Sequence, residues 1–181
     1  MAKLVSKTYG EALFDLALEE GTLTTIIEEV NVAKEAIAEN PDLMKFLNHP
    51  KIDKEEKISV IENIFKGRVS DSLVGFLVII VRKDRYRDLD GIFEYFNTKV
   101  REYKNIGVAT VTSAVELTKE QMEQVEQRLL QTTKYNQVEL SFMVDESLIG
   151  GLVIRIGDRV VDSSIRTKLQ VLEKNLKNTA V

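Results

Sequence analysis

The side chains able to do chemistry are few. His49 is the one histidine among 181 residues, and cysteine is absent, so disulfides, thiolate metal sites and cysteine nucleophiles are excluded together. His49 sits between Asn48 and Pro50 at the end of a helical pattern. A general base or metal ligand needs a second chemical group beside it, and nothing nearby supplies one, so a loop or capping role is expected. Gly150, Gly151 and Gly157 invite comparison with a nucleotide loop, but they fit neither G-x-G-x-x-G nor G-x-x-x-x-G-K-[ST]. They flank a strand, whereas a phosphate loop opens a helix, so they read as turn and bulge residues. Arg82, Lys83, Arg85 and Arg87 are interrupted by Asp84 and followed by Asp88 and Asp90. That mixture describes a solvated helix end better than a phosphate site. The pairs Glu19-Glu20, Glu28-Glu29 and Glu55-Glu56 point in different directions on a helix and are expected on solvent faces. The inventory implies no catalytic residue, no cofactor and no metal.

Composition narrows the class further. Hydrophobic residues make up 44% of the chain, enough for a substantial core, and the net charge is −4 with a pI of about 5.3. An acidic chain with interspersed charges has no electrostatic grip on nucleic acid or anionic lipid. The opening MAKLVSKTYGEALFDLAL carries Glu11 and Asp15 within an amphipathic pattern, unlike a secretory signal or an acid-poor transit peptide, so a bacterial cytoplasmic protein is expected. Leu73 to Val81 is the most apolar run and falls far short of the ~20 residues that span a bilayer. Any membrane association would therefore be indirect, through a protein partner.

The elements that would carry these residues fall into two textures, and the fold class is α+β: a six-helix bundle over residues 1–104 followed by a small β-α-β-β-β-α domain over 105–181. Tyr9, Ala12, Leu13, Leu16 and Ala17 form the stripe of the first helix, which Gly21 ends before Thr22 opens the second. Asn40-Pro41 starts a short third helix, and Asp53 with Glu56 resembles a capping box for the fourth. Ser70 caps a fifth helix that is apolar on nearly every side, through Leu73, Val74, Phe76, Leu77, Val78, Ile79, Ile80 and Val81. Such a helix is either central to a bundle or covered in part by a partner helix. Leu89, Ile92, Phe93, Phe96, Val100 and Tyr103 mark the sixth.

Asn105 and Gly107 are the expected hinge, after which Val108 to Thr112 alternates as a strand. Thr118 to Gln121 is a capping box, with Leu117 and Met122 as a hydrophobic staple, and Met122, Val125 and Leu129 as the buried face of the helix that follows. A second strand runs through Val138, Leu140, Phe142 and Val144. Leu152, Ile154 and Ile156 form a third, Gly157-Asp158 a type II′ hairpin, and Arg159 to Val161 its return. Asp162 or Ser163 is expected to cap the terminal helix, on which Ile165, Leu169, Leu172 and Leu176 recur at helical spacing.

The run Asp145, Leu148-Ile149-Gly150-Gly151, Ile154, Ile156-Gly157-Asp158, Asp162, Ser164-Ile165 and Lys168-Leu169 resembles the C-terminal signature of the delta subunit of F-type ATP synthases, the mitochondrial OSCP. Glu146 stands where that pattern commonly has proline, and Ser163 where glycine is common. Tyr9-Gly10-Glu11-Ala12-Leu13-Phe14 is similar to the family's opening Tyr-Ala-x-Ala-Leu-Phe, with Gly10 as the departure. The resemblance implies a non-catalytic stator subunit, monomeric within its complex and peripheral on the cytoplasmic face of the bacterial membrane. It implies that helices one and five form a groove for the N-terminal helix of the alpha subunit, with Tyr9, Ala12, Leu13, Leu77, Val78 and Val81 as candidates. It implies equally that the C-terminal domain binds the C-terminal helices of the b-subunit stalk, with Gly150, Gly151, Ile165 and Leu169 as candidates. On this basis Leu77→Asp is expected to weaken alpha-subunit binding in a chain that stays folded.

The competing class is an RNA-binding or ribosome-associated adaptor, because small sheet modules of this order often bind RNA on an open face. Such a face needs basic and aromatic side chains, and here the strands offer Phe142 and Arg155 and little else.

Overall fold

The computed structural model describes residues 2–179, and among these are eight α-helices and four β-strands. The chain divides into two compact units, Met1–Val100 and Arg101–Val181.

The first unit holds α1 (Ala2–Glu19), α2 (Leu23–Glu39), α3 (Pro41–Asn48), α4 (Lys54–Phe65), α5 (Asp71–Arg82) and most of α6 (Leu89–Lys104), the last entered through a 3-10 turn at Tyr86–Asp88. Leu13, Ile26, Ile61, Leu73, Leu77, Ile80, Phe93 and Phe96 are all enclosed in one core. Each such side chain withdrawn from water is worth roughly 1.5–3 kcal/mol, so the bundle is held by the apolar stripes that the helical spacing marks. Lys57 lays its stem into the same core and places its ammonium 5.5 Å from the centre of the Tyr86 ring.

Helix ends in the first unit follow local chemistry, with departures at Asp53 and Asn40 from the expected caps. Gly21, at φ +67, closes α1 in a Schellman arrangement, with its own N–H donated to Leu18 O and that of Thr22 to Ala17 O. Asp84, at φ +56, closes α5 in the same way through Asp84 N–H to Val81 O and Arg85 N–H to Ile80 O. Ser70 accepts from Leu73 N–H at the start of α5, and Glu29 in turn accepts from the Ser70 amide at 2.9 Å and hydroxyl at 2.6 Å. Glu29 is therefore a tether between α2 and α5, not the solvent-facing acid expected of the Glu28-Glu29 pair. Asp53 stands before α4 but its side chain makes no capping bond. Asn40 likewise turns back, its amide donating to Ala36 O at the end of α2 in place of capping α3.

Gly10 is explained by α6. A Cβ at Gly10 would lie 2.7 Å from Tyr95 Cδ1 and 3.1 Å from the Ile92 carbonyl oxygen, so the two helices cross at a distance only glycine permits. Tyr95 also donates its hydroxyl to Glu11 at 2.8 Å, fixing that crossing.

In the second unit β1 (Ile106–Ser113) is followed by α7 (Lys119–Thr132), β2 (Gln137–Val144), a 3-10 turn (Glu146–Leu148), β3 (Leu152–Ile156), β4 (Arg159–Asp162) and α8 (Ile165–Thr179). The sheet order is β2-β1-β3-β4, with β1 parallel to β2 and antiparallel to β3, and β3 antiparallel to β4. The parallel pair requires a crossover, and α7 supplies it. Register places Ala109 beside Leu140 and Ile156, and Val111 beside Phe142 and Ile154, so these residues share one face. Leu129 and Val125 of α7 pack on that face. The Thr118 capping box is complete: Gln121 Oε1 accepts from Thr118 N–H at 3.0 Å and Thr118 Oγ1 from Gln121 N–H at 3.3 Å. Asn105, at φ +55, is pinned by its side-chain amide to Lys134 O at 2.6 Å and by its carbonyl to Asn136 N–H.

Candidate functional site

The residues that carry reactive groups are occupied structurally. His49 follows α3, is exposed, and its Nδ1 accepts from Lys51 N–H at 3.3 Å, which ties the turn between α3 and α4. Of the basic cluster, Arg87 donates to Asn48 at 2.6 Å and Arg85 faces Asp88 at 3.8 Å. Asp84 accepts from Lys54, and that bond holds its carboxyl below the usual carboxylate range. No group of three or more His, Cys, Asp or Glu side chains that could hold a metal exists among the described residues.

What the first unit offers is surface. Glu20, just past the end of α1, accepts from the Ser72 hydroxyl at 2.8 Å, tying that end of α1 to the first turn of α5. Six residues of these two helices were candidates for a partner groove, and they divide by depth. Leu13, Leu77 and Val81 are at most 1% exposed, so they form the core beneath the surface. Tyr9 and Val78 are half-buried and pack on that core, and Ala12 is exposed. The outward seam of α5 instead runs through Ser72, Gly75, Ile79 and Arg82, with Ile79 49% exposed. Ile79 was hidden in the sequence because it sits within an unbroken apolar run. Gly75, four residues earlier, was the available signal, since a residue without a side chain amid large ones marks the side that the core does not fill.

The second unit presents two unpartnered apolar features. One is a groove of about 870 Å³ between α7 and the β3–β4 hairpin. Its floor includes Ala114, Leu152, Ile154 and Val161, and its sides include Val125 and Leu129 of α7 and the Ile149–Gly151 loop. It exists because α7 lies over β1 and β2, leaving the same face of β3 and β4 without a helix. The other is α8, whose Ile165, Leu169, Leu172 and Leu176 are 42–71% exposed along one stripe.

Gly150, Gly151 and Ile165 meet where these features join. A Cβ at Gly151, whose φ is +79, would lie 2.5 Å from the Ser163 carbonyl oxygen, and one at Gly150 would lie 2.7 Å from Ile165 Cδ1. The Gly150 carbonyl accepts from Ile165 N–H at 2.9 Å, so the two glycines seat the start of α8 against the loop before β3. Leu169 belongs to the exposed stripe beyond. The cap of α8 is Ser164, not Asp162 or Ser163: Ser164 Oγ accepts from Thr167 N–H at 3.2 Å, immediately before the helix begins at Ile165. Asp162 supports that cap from outside, accepting from Ser164 N–H at 2.8 Å and the Thr167 hydroxyl at 2.7 Å. The Ser164 side chain above all, and then Thr167, hold the Asp162 carboxyl below the usual range. A similar turn at Asp145 lowers that carboxyl as well, through the Ser147 side chain first and then the Ser147 N–H, from which it accepts at 3.0 Å.

The opposite face of the sheet carries Val108, Thr110 and Thr112 with Glu139, Ser141, Met143, Val153 and Arg155. It has one guanidinium and no aromatic ring, and Phe142 faces the other way, so the RNA-binding alternative lacks its platform.

Comparison with known proteins gives a consistent result. The family model described as ATP synthase delta (OSCP) subunit matches residues 5–176. The ATP synthase subunit delta of Lachnoclostridium phytofermentans is 64% identical over 176 residues, covering 97% of each chain. Those of Prochlorococcus marinus and Lactobacillus johnsonii are 36% and 33% identical over 172 residues, covering 95% of this chain and 96% and 94% of theirs. A chain in the cryo-EM structure of the Toxoplasma gondii mitochondrial ATP synthase hexamer superposes with a TM-score of 0.70 over 94% of this chain and 96% of its own; at 19% identity this shows a shared fold. A chain whose sequence matches along nearly its whole length, and whose helical and sheet units share the fold of a mitochondrial ATP synthase chain, belongs to the ATP synthase delta (OSCP) family, the non-catalytic peripheral-stalk subunits of F-type ATP synthases.

Proposed function

We propose that the chain is the stator clamp of its ATP synthase, with the first unit holding the N-terminal helix of an alpha subunit and the second holding the C-terminal end of the b-subunit stalk. The observation that carries this reading is the apolar surface left without a partner on the second unit, the groove with the exposed stripe of α8; on the first unit it is supported by Ile79, exposed on the outward side of α5. A clamp does no chemistry but has to hold while ion-driven rotation of the rotor exerts torque on the head. Apolar burial suits this because it returns roughly 25 cal/mol per Å² and does not hang on one polar contact. The protein is a single copy within the complex, on the cytoplasmic side, and reaches the membrane only through its partners. No helix among the described residues is long and apolar enough to cross a bilayer.

The depth of the α5 residues changes which variant tests the alpha-subunit site. Leu77→Asp would place a carboxylate inside the core, so it is expected to unfold the first unit and not to act selectively. Ile79→Asp changes an exposed position, and it is expected to leave the thermal transition within about 2 °C while weakening a peptide from the N-terminus of the alpha subunit at least ~10-fold in calorimetric titration. Unchanged affinity in a folded Ile79→Asp chain would remove the α1/α5 face from the proposal.

A further inference from the structure

Resting on the reading of the second unit as a partner-binding domain, we propose that the groove between α7 and the β3–β4 hairpin selects its occupant by charge: an amphipathic partner helix with carboxylates along the margins of its apolar face. Among the described residues the only charged side chains lining the groove are Arg128, on the α7 wall, and Arg159, on the hairpin wall, with no aspartate or glutamate. Acids outnumber bases 29 to 25 in the whole chain, so the groove reverses the sign of the molecule locally. Among the described residues no carboxylate of this chain pairs with either guanidinium. Two uncommitted cations on opposite walls of an apolar trough are placed to meet acids on both flanks of a helix seated between them.

A helix fits because the floor is side chains on a sheet face, the kind of surface α7 already covers over β1 and β2. The floor strands are five and four residues long, about 15 Å, which matches roughly three turns of helix. The chain's own α8 has the right apolar stripe and the wrong charge. It carries Arg166, Lys168, Lys174 and Lys177 against Glu173, so seating the α8 of a second copy in the groove would set cation against cation. The occupant is therefore a different chain, and the same basic margins on α8 ask for an acidic partner there too.

The test uses the full-length chain and two synthetic amphipathic peptides with one shared leucine stripe, one with glutamates at the stripe's margins and one with lysines. Fluorescence anisotropy at 50 mM salt is expected to show the glutamate peptide binding about 4- to 25-fold more tightly, as two charge contacts of about two- to five-fold each would give. The preference is expected to shrink at 500 mM salt, where the screening length falls to a few ångströms. Arg128→Glu with Arg159→Glu should invert the preference, and Val161→Asp on the exposed floor should abolish binding of both peptides. No binding of the glutamate peptide, equal binding of the two, or a preference that survives the double charge reversal would overturn the proposal. A fragment comprising the C-terminal helices of the b-subunit stalk, titrated in parallel, separates the two readings. If the fragment binds while the peptides show no charge preference, only the charge selection fails; if the glutamate peptide is preferred and the fragment does not bind, only the stalk assignment fails.

Discussion

At Gly10 two rules oppose each other, and the neighbour decides. Alanine inside a helix is favoured over glycine by ~1 kcal/mol. Here its methyl would press on Tyr95 and on the Ile92 carbonyl, so Gly10→Ala is expected to lower stability by about 1–3 kcal/mol in urea denaturation, the sign opposite to helix propensity. A stabilised variant would show that the crossing is looser than described. Gly151 admits no such competition, since its positive φ and its contact with the Ser163 carbonyl both exclude a side chain. Gly151→Ala should cost about 2 kcal/mol or more and reduce binding of the stalk fragment, because it displaces the start of α8.

The start of α8 depends on a short network, and that network is sensitive to pH. Ser164→Ala removes the cap and is expected to cost about 1 kcal/mol, read as fraying of the terminal helix in amide exchange. The Asp162 carboxyl is held below its ordinary value by the Ser164 side chain and then Thr167, so folding favours its ionised form. Its contribution is complete above the usual carboxylate pKa of about 3.9 and is lost as the pH falls through that value toward the lowered one. Acid titration of wild type should therefore show protection of α8 falling in that window, and Asp162→Asn should show a flatter profile. Protection that rises on acidification would contradict the assigned role. At this scale most elements were legible in the sequence: helical spacing placed α1 to α6, and Thr118 with Gln121 fixed the start of α7. The missed caps have one cause. Ser, Asp and Asn near a helix start all accept from backbone amides, and which of Asp162, Ser163 and Ser164 wins depends on where the Gly150–Gly151 loop holds Ile165, a contact invisible to local spacing. Depth was not legible for the candidate groove residues: Leu13, Leu77 and Val81 carry the strongest apolar signal because they are core, whereas exposed positions such as Ile79 and Val161 depend on what the core leaves over.

For the whole molecule, the proposed clamp assigns one partner to each of the two units, and the two are expected to bind without competing. The groove of the second unit is basic within an acidic chain, so binding there should weaken with salt, whereas binding to the α1/α5 face, which presents Ile79 and half-buried Tyr9 and Val78, should change little. Sedimentation velocity on the full-length chain, mixed with two differently labelled partners, a peptide from the alpha-subunit N-terminus and the fragment of b-subunit stalk helices, puts the clamp to its most direct trial. Both labels are expected to co-sediment with one copy of the chain, each with the affinity it shows alone. Mutual exclusion of the two labels, or failure of either to associate, would contradict a protein that joins head to stalk.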